Sequence, residues 1–275
     1  MHQILPPPLL QLDDATARLG AKHFGPFKLS LRAGERVAVL GPSGAGKSTL
    51  LRMMTGDLPC AQGAISFEQQ SLRHWPKAAL ARRRAVLPQA SDVAYGLLVE
   101  LVIGLGRVAL ASDPQGERIV HEAAALARAE HLLGRTYDTL SGGERARVQL
   151  ARIFAQLWDA EAGLVLVDEP LAALDPGLQF DLLESMDAFA SQRGHAVLAI
   201  LHDINHAMLA FDRLLLVADG QLVGDMAADI GALPALEALY GIGLGSALND
   251  AGELVVTPRR PVPRAMPRTT ARLQA

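Results

Sequence analysis

The chain has 275 residues, of which half are hydrophobic, and its 26 Lys and Arg against 29 Asp and Glu leave a net charge of −3. That length holds one large domain or a domain with an inserted subdomain, and the near-balanced charge gives no general drive toward nucleic acid. The single cysteine, Cys60, excludes an intrachain disulfide and suits a reducing compartment.

Residues 1–8 read as a loose lead-in, because Pro6-Pro7-Pro8 falls where a signal peptide needs an apolar region. Leu9 to Leu12 and Phe27 to Leu31 read as strands, the second alternating apolar and polar like a half-exposed antiparallel strand. Ala33-Gly34-Glu35 turns into a short buried strand from Arg36 to Leu40. Then comes Gly41-Pro42-Ser43-Gly44-Ala45-Gly46-Lys47-Ser48-Thr49, which fits the phosphate-loop pattern G-x-x-x-x-G-K-[ST] at every fixed position. Leu50, Leu51, Met53 and Met54 make Ser48 to Gly56 a helix. Strand, glycine loop and helix in that order suit a phosphate: backbone N–H groups close around it, and the helix N-terminus adds partial positive charge. In this pattern Lys47 reaches the β- and γ-phosphates and Ser48 ligates Mg²⁺. A glycine-rich turn is the plain alternative, but an accidental match arises only about once in a hundred chains of this length.

Ala64 to Phe67 and Arg84 to Leu87 read as further strands, the latter ending at Pro88-Gln89. From about residue 89 to 159 the β signals vanish, and Val99 to Leu110 and Glu117 to Leu133 read as helices. Val93 to Ala111 is the one stretch open to confusion with a membrane span. Its Glu100, Arg107 and three glycines would be costly in hydrocarbon, so a soluble, cytoplasmic protein is expected. Leu140-Ser141-Gly142-Gly143-Glu144 opens a helix whose Leu150, Phe154 and Leu157 recur at helical spacing. Ser141 is the expected cap, and N–H groups around Gly142 and Gly143 can receive an anion. Read plainly this is only a good capping sequence, yet a second cradle beside a complete phosphate loop suggests two chains sharing one nucleotide.

After Gly163 strands return as continuous apolar runs, Leu164 to Asp168, Ala196 to Leu201 and Leu214 to Val217, separated by helical stretches such as Gly177 to Ser191. Such runs indicate parallel strands covered on both faces. The first stops at Asp168-Glu169, where two carboxylates are costly unless a cation or water needs them. Asp168 is placed to hold the Mg²⁺ shell, and Glu169 to act as general base on a water aimed at the γ-phosphate. The plain alternative is a strand running out into a polar loop. Trp75, Trp158 and Tyr137 read as packing residues, and Arg82-Arg83-Arg84 as a solvated or carboxylate-paired run. Pro258 to Ala275, with five arginines, four prolines and no acid, reads as a disordered basic tail.

The fold class is therefore α/β: a phosphate-loop NTPase core with a mostly parallel sheet, an antiparallel β edge and an inserted helical subdomain. Residues 9–88 and 160–257 form the core, 89–159 the helical subdomain and 258–275 the tail.

LSGGE between a phosphate loop and an apolar strand ending in Asp-Glu resembles the ATP-binding-cassette (ABC) ATPases, over roughly residues 9–240. The resemblance implies ATP and Mg²⁺ as cofactors. It makes Gln89 a Mg²⁺ ligand joining core to helical subdomain, Asp175 a bridge between protomers, and His202 a contact to the γ-phosphate. It implies a head-to-tail homodimer, with Ser141, Gly142, Gly143 and Glu144 of one copy closing on the nucleotide held by Lys47 of the other. His202 and His206 also have the i,i+4 spacing of a zinc pair on an expected helix, but Asp203 replaces the Glu of the metalloprotease pattern and no third ligand is evident. Two departures stand out. Many members stack adenine on an aromatic where this chain has Thr16-Ala17-Arg18, leaving Arg18 or Phe24 for the base, and Leu171 stands where Thr or Ser is common.

This resemblance implies the ATPase of a membrane importer, peripheral on the cytoplasmic face of the inner membrane, docked on two copies of a permease and served indirectly by a periplasmic binding protein. Ala81 to Gln89, Leu140 to Asp159 and Leu201 to Asn205 resemble importers of haemin, iron–siderophore complexes and cobalamin, haemin nearest. A permease-independent cassette ATPase of DNA repair, translation or cluster assembly is the alternative; such proteins usually carry a coiled coil, a second cassette or a zinc module. A phosphate-loop kinase leaves LSGGE unexplained.

Overall fold

The computed structural model describes residues 6–89, 96–171 and 174–259. Strands β1 (Leu10–Leu19) and β2 (Lys22–Leu31) pair antiparallel and lead into β3 (Arg36–Leu40), the phosphate loop and helix α1 (Lys47–Thr55). β4 (Gln62–Phe67) returns beside β1, and β5 (Gln70–Ser71), α2 (Lys77–Ala81) and β6 (Arg84–Leu87) follow. Helices α3 (Val99–Gly104), α4 (Gly116–Leu126) and α5 (Gly142–Leu157) come next. The chain then alternates β7 (Leu164–Asp168), α6 (Pro176–Arg193), β8 (Ala196–Ile200), α7 (Ile204–Ala210) and β9 (Arg213–Ala218). It ends with β10 (Gln221–Ala227), α8 (Leu233–Tyr240) and the hairpin β11 (Gly243–Leu248) and β12 (Leu254–Arg259).

The central sheet runs β10-β9-β3-β8-β7-β6, parallel except for β10, and the antiparallel sheet runs β2-β1-β4-β5. Alternate residues of one strand enter different cores. Val37 and Val39 of β3 pack with α1 and the antiparallel sheet, whereas Ala38 and Leu40 face α5, α6 and α7. Burial on both faces is what the continuous apolar runs demanded. Phe154 of α5 stacks on Phe189 of α6 at 4.3 Å between ring centres, joining the helical segment to the core.

Several expected boundaries moved. The first strand continues from Leu12 to Leu19 because a bulge at Asp13-Asp14 carries it past two acids; Asp14 takes φ 47°, and a side chain on Gly63 of β4 would meet the Asp14 carbonyl at 2.3 Å. The helix expected to reach Leu110 gives way after Gly104 to a 3-10 turn, Leu105–Arg107, where Gly106 lies so close to α5 that a Cβ would be 2.3 Å from the Arg152 carbonyl. The next helix ends at Leu126 rather than Leu133, with Arg128 at φ 55°. β12 takes in Pro258 and Arg259, the first residues of the expected tail, because a two-stranded edge tolerates a proline; residues 260–275 lie outside the described residues. Among the described residues no helix is long and apolar enough to cross a membrane.

Candidate nucleotide-binding site

The carboxyl ends of β3, β6, β7 and β8 lie along one edge of the parallel sheet, the edge where ligands bind in such folds. β3 delivers the phosphate loop. A Cβ on Gly41 would lie 2.1 Å from the Val217 carbonyl of β9, so only glycine lets the loop leave the strand here. Gly44 and Gly46 take φ 76° and 104°, a left-handed backbone that curls the loop back before α1. α1 begins at Lys47 with no side-chain cap, leaving its first N–H groups open to an anion.

Lys47, only 5% exposed, donates to the Gly41 carbonyl at 2.8 Å and the Pro42 carbonyl at 3.1 Å. Burial pulls its ammonium below the usual lysine range, against the opposing pull of Glu169 and Asp168. Ser48 Oγ donates to Asp168 Oδ1 at 3.3 Å, and burial at the end of β7 pushes the Asp168 carboxyl up. Ser48 and Asp168 thus set two hard oxygen donors side by side, and the Gln89 side-chain amide bonds to Glu169, the next residue. That donor set fits Mg²⁺.

Glu169 stands beyond β7 at φ 50°. Gln89 Nε2 donates to its Oε2 at 2.9 Å, and His202 Nε2 lies 2.6 Å from its Oε1. Lys47, Ser48, Gln89, Asp168, Glu169 and His202 therefore form one group, assembled from four strand ends. His202 belongs to the connector between β8 and α7, not to α7 itself, so the two histidines do not form an i,i+4 zinc pair on one helix. His206 is buried on α7, its backbone N–H donates to Asp203 Oδ1 at 3.0 Å, and its ring meets Phe180 edge-on.

Ser141, Gly142, Gly143, Glu144 and Asp175 form a second group. Ser141 caps α5 in a reciprocal box: Glu144 N–H donates to Ser141 Oγ at 3.3 Å, and Ser141 N–H donates to Glu144 Oε2 at 2.7 Å. That backbone bond, with Arg135 beside it, holds the Glu144 carboxyl at about 2. Asp175 caps α6, accepting from Leu178 N–H at 3.0 Å. An open groove of about 610 Å³ runs between Ser141, Gly143 and Arg147 on one side and Asp175 and Leu178 on the other. None of the phosphate-loop residues lines it.

Sequence reasoning missed Arg147. It pairs with Asp181 at 2.7 Å and locks α5 to α6, a contact between positions 34 apart that no local spacing signals. Phe24 is not available to a base: it is 8% exposed, and its ring lies so close under Gly46 that a Cβ there would be 2.9 Å away. Arg18 remains exposed near the end of β1, opposite His23 of β2, its Nε donating to the Gly20 carbonyl at 3.1 Å.

A family model described as ABC transporter matches residues 24–172. A hemin import ATP-binding protein HmuV of Pseudomonas aeruginosa is 47% identical over 216 residues, covering 78% of this chain and 84% of that protein. A namesake from Pseudomonas fluorescens is 44% identical over 239 residues, covering 85% and 93%. Among solved structures, an ATP-binding cassette of an ABC transporter superposes with a TM-score of 0.74 at 20% identity, over 86% of this chain and 98% of the other. A dimeric ATP-binding cassette bound to ADP and Pi gives 0.68 at 22% identity, over 80% and 99%. With the phosphate loop, the paired carboxylates and the capped LSGGE helix in place, the chain belongs to the ABC transporter family and is one of its ATP-hydrolysing, ATP-binding subunits.

Proposed function

We propose that this subunit energises import of haemin, or of a related iron chelate, through a separate permease. The observation that carries the substrate is the 47% identity to a hemin import protein across most of both chains. The observation that carries the assembly is the separation of Ser141 and Asp175 from the phosphate loop into a groove of their own. A head-to-tail pair of chains brings the groove of one onto the loop of the other, as the dimeric form of a structural relative supports.

In this reading Lys47 exchanges its bonds to the Gly41 and Pro42 carbonyls for the β- and γ-phosphate oxygens. Backbone N–H groups from Ser43 to Thr49 surround the remaining oxygens. Ser48, Asp168 and Gln89 would hold Mg²⁺, which supplies charge neutralisation between the phosphates. Glu169 accepts a proton from water as the water oxygen bonds to the γ-phosphorus and the bond to the ADP oxygen breaks. His202, freed from Glu169, meets the γ-phosphate oxygens. Ser141 and Gly143 of the partner copy close the pocket, and Asp175 bridges the two copies. Arg18 lies flat on the base through its guanidinium. Closure and phosphate release drive the permease, with the chain peripheral on the cytoplasmic face. Leu98, Leu101, Leu105 and Val108 leave an exposed apolar stripe beyond Gln89 that suits the permease contact.

The test is reconstitution of the chain with its co-purifying permease and periplasmic binding protein in vesicles. Haemin is expected to stimulate ATP hydrolysis and to accumulate inside. Stimulation by an iron–siderophore or cobalamin alone would reassign the cargo, and no membrane partner at all would favour the permease-independent class.

A further inference from the structure

We infer that Asn205 is a positioning residue for ATP hydrolysis, holding the hairpin β11–β12 against the first turn of α7 so that the connector keeps His202 within reach of Glu169 and of the γ-phosphate. α7 has seven residues and hangs from β8 by Leu201, His202 and Asp203. Leu201 N–H donates to the Val39 carbonyl at 3.1 Å, which fixes the chain just before His202. The His202 side chain is 53% exposed, so packing does not hold it; the connector and the start of α7 must.

Asn205 makes that start rigid. Its Nδ2 donates to the Val256 carbonyl at 3.1 Å, and Val256 N–H donates to its Oδ1 at 2.7 Å. The side-chain amide thus replaces the peptide of a neighbouring strand, satisfying both backbone groups of one β12 residue at once. The Val256 side chain is buried, as is Leu244 of β11, in the core that holds Ala207 and Met208 of α7. Among the described residues, hydrogen bonds tie the hairpin to the rest of the chain at only two places, Asn205 and Glu237 of α8; the second is a bond of 2.6 Å from Leu244 N–H. α8 in turn stands across a groove of about 520 Å³ from Ser43, Gly44 and Ala45. The hairpin therefore links α8 to the first turn of α7, and Asn205 is its attachment at the end nearer His202.

This rests on Glu169 and His202 acting as proposed above, and the experiment separates the two. Steady-state hydrolysis and ATP binding are measured for full-length Asn205→Ala, His202→Ala and the double variant. Asn205→Ala is expected to lower kcat on the order of tenfold while ATP affinity stays within about twofold. In the His202→Ala background it is expected to cause no further loss, because both changes remove the same positioned ring. An unchanged kcat in Asn205→Ala, a loss of ATP affinity matching the loss of kcat, or losses that multiply in the double variant would overturn the inference. Full activity in His202→Ala would overturn instead the role of His202. Asn205→Asp keeps the acceptor for Val256 N–H but sets a carboxylate against the Val256 carbonyl; it replaces Asn205→Ala, with the same expected and overturning results, if that variant does not fold.

Discussion

Glu169 carries two neighbours, Gln89 and His202, on its two oxygens, and the proposed chemistry needs one of those oxygens turned to a water. Glu169→Gln keeps the hydrogen-bonding shape and removes the base. Hydrolysis should fall at least on the order of a hundredfold while ATP still binds, so that closed dimers accumulate on gel filtration with ATP. Normal turnover would remove Glu169 from the role. A second residue acts far from the site. His195 is buried between β7 and α6, accepting from Gly163 N–H on its Nδ1 at 2.8 Å, and burial lowers its imidazole from 6.5 to about 4. The fold therefore prefers the neutral ring, so the stabilisation is complete above 6.5 and is lost as pH falls toward 4. The shift corresponds to about 3 kcal/mol. Urea midpoints should drop across that window, and His195→Asn, which keeps an acceptor for Gly163 without the titrating ring, should flatten the drop.

Elements are joined here by a few contacts of high leverage. Phe154 and Phe189 stack where α5 meets α6, and the same pair of helices is tied on its outer side by Arg147 and Asp181. Phe154→Ala should cost about 3–5 kcal/mol by urea unfolding, from the lost apolar contact and the cavity left behind. Because α5 carries Ser141 and α6 carries Asp175, the groove between them should lose its shape with the stack. At the β1 bulge, Gly63→Ala should cost roughly 1–3 kcal/mol, since φ 80° and two backbone carbonyls within 2.4 Å leave the methyl no room. Asp13-Asp14 resembles a strand end in isolation, and only the glycine facing it from β4 turns it into a bulge.

Assembly is the scale at which the proposed shared pocket is tested. If each pocket takes Lys47 from one copy and Ser141 from another, mixing Lys47→Ala chains with Ser141→Arg chains should rebuild one intact pocket in every mixed pair. About a quarter of the unaltered ATPase activity should return, half the pairs being mixed with one of two pockets intact in each. No recovery in demonstrably mixed dimers would count against the shared pocket. What the residues alone determined were features whose chemistry forces a local spacing: the phosphate loop with its glycines, Asp168-Glu169 at the end of an apolar strand, and the Ser141 cap three residues before Glu144. Parallel strands were legible for the same reason, since burial on both faces leaves no polar alternation. Tertiary structure decided the rest, because it depends on residues distant in the chain. Gln89, Glu169 and His202 meet only through the order of β6, β7 and β8; Phe24 is closed to a base only because Gly46 and Gly220 lie over it; and Asn205 finds Val256 at a separation of 51 positions along the chain. Periodicity reports which face of an element is buried, but it carries no information on which other element covers that face.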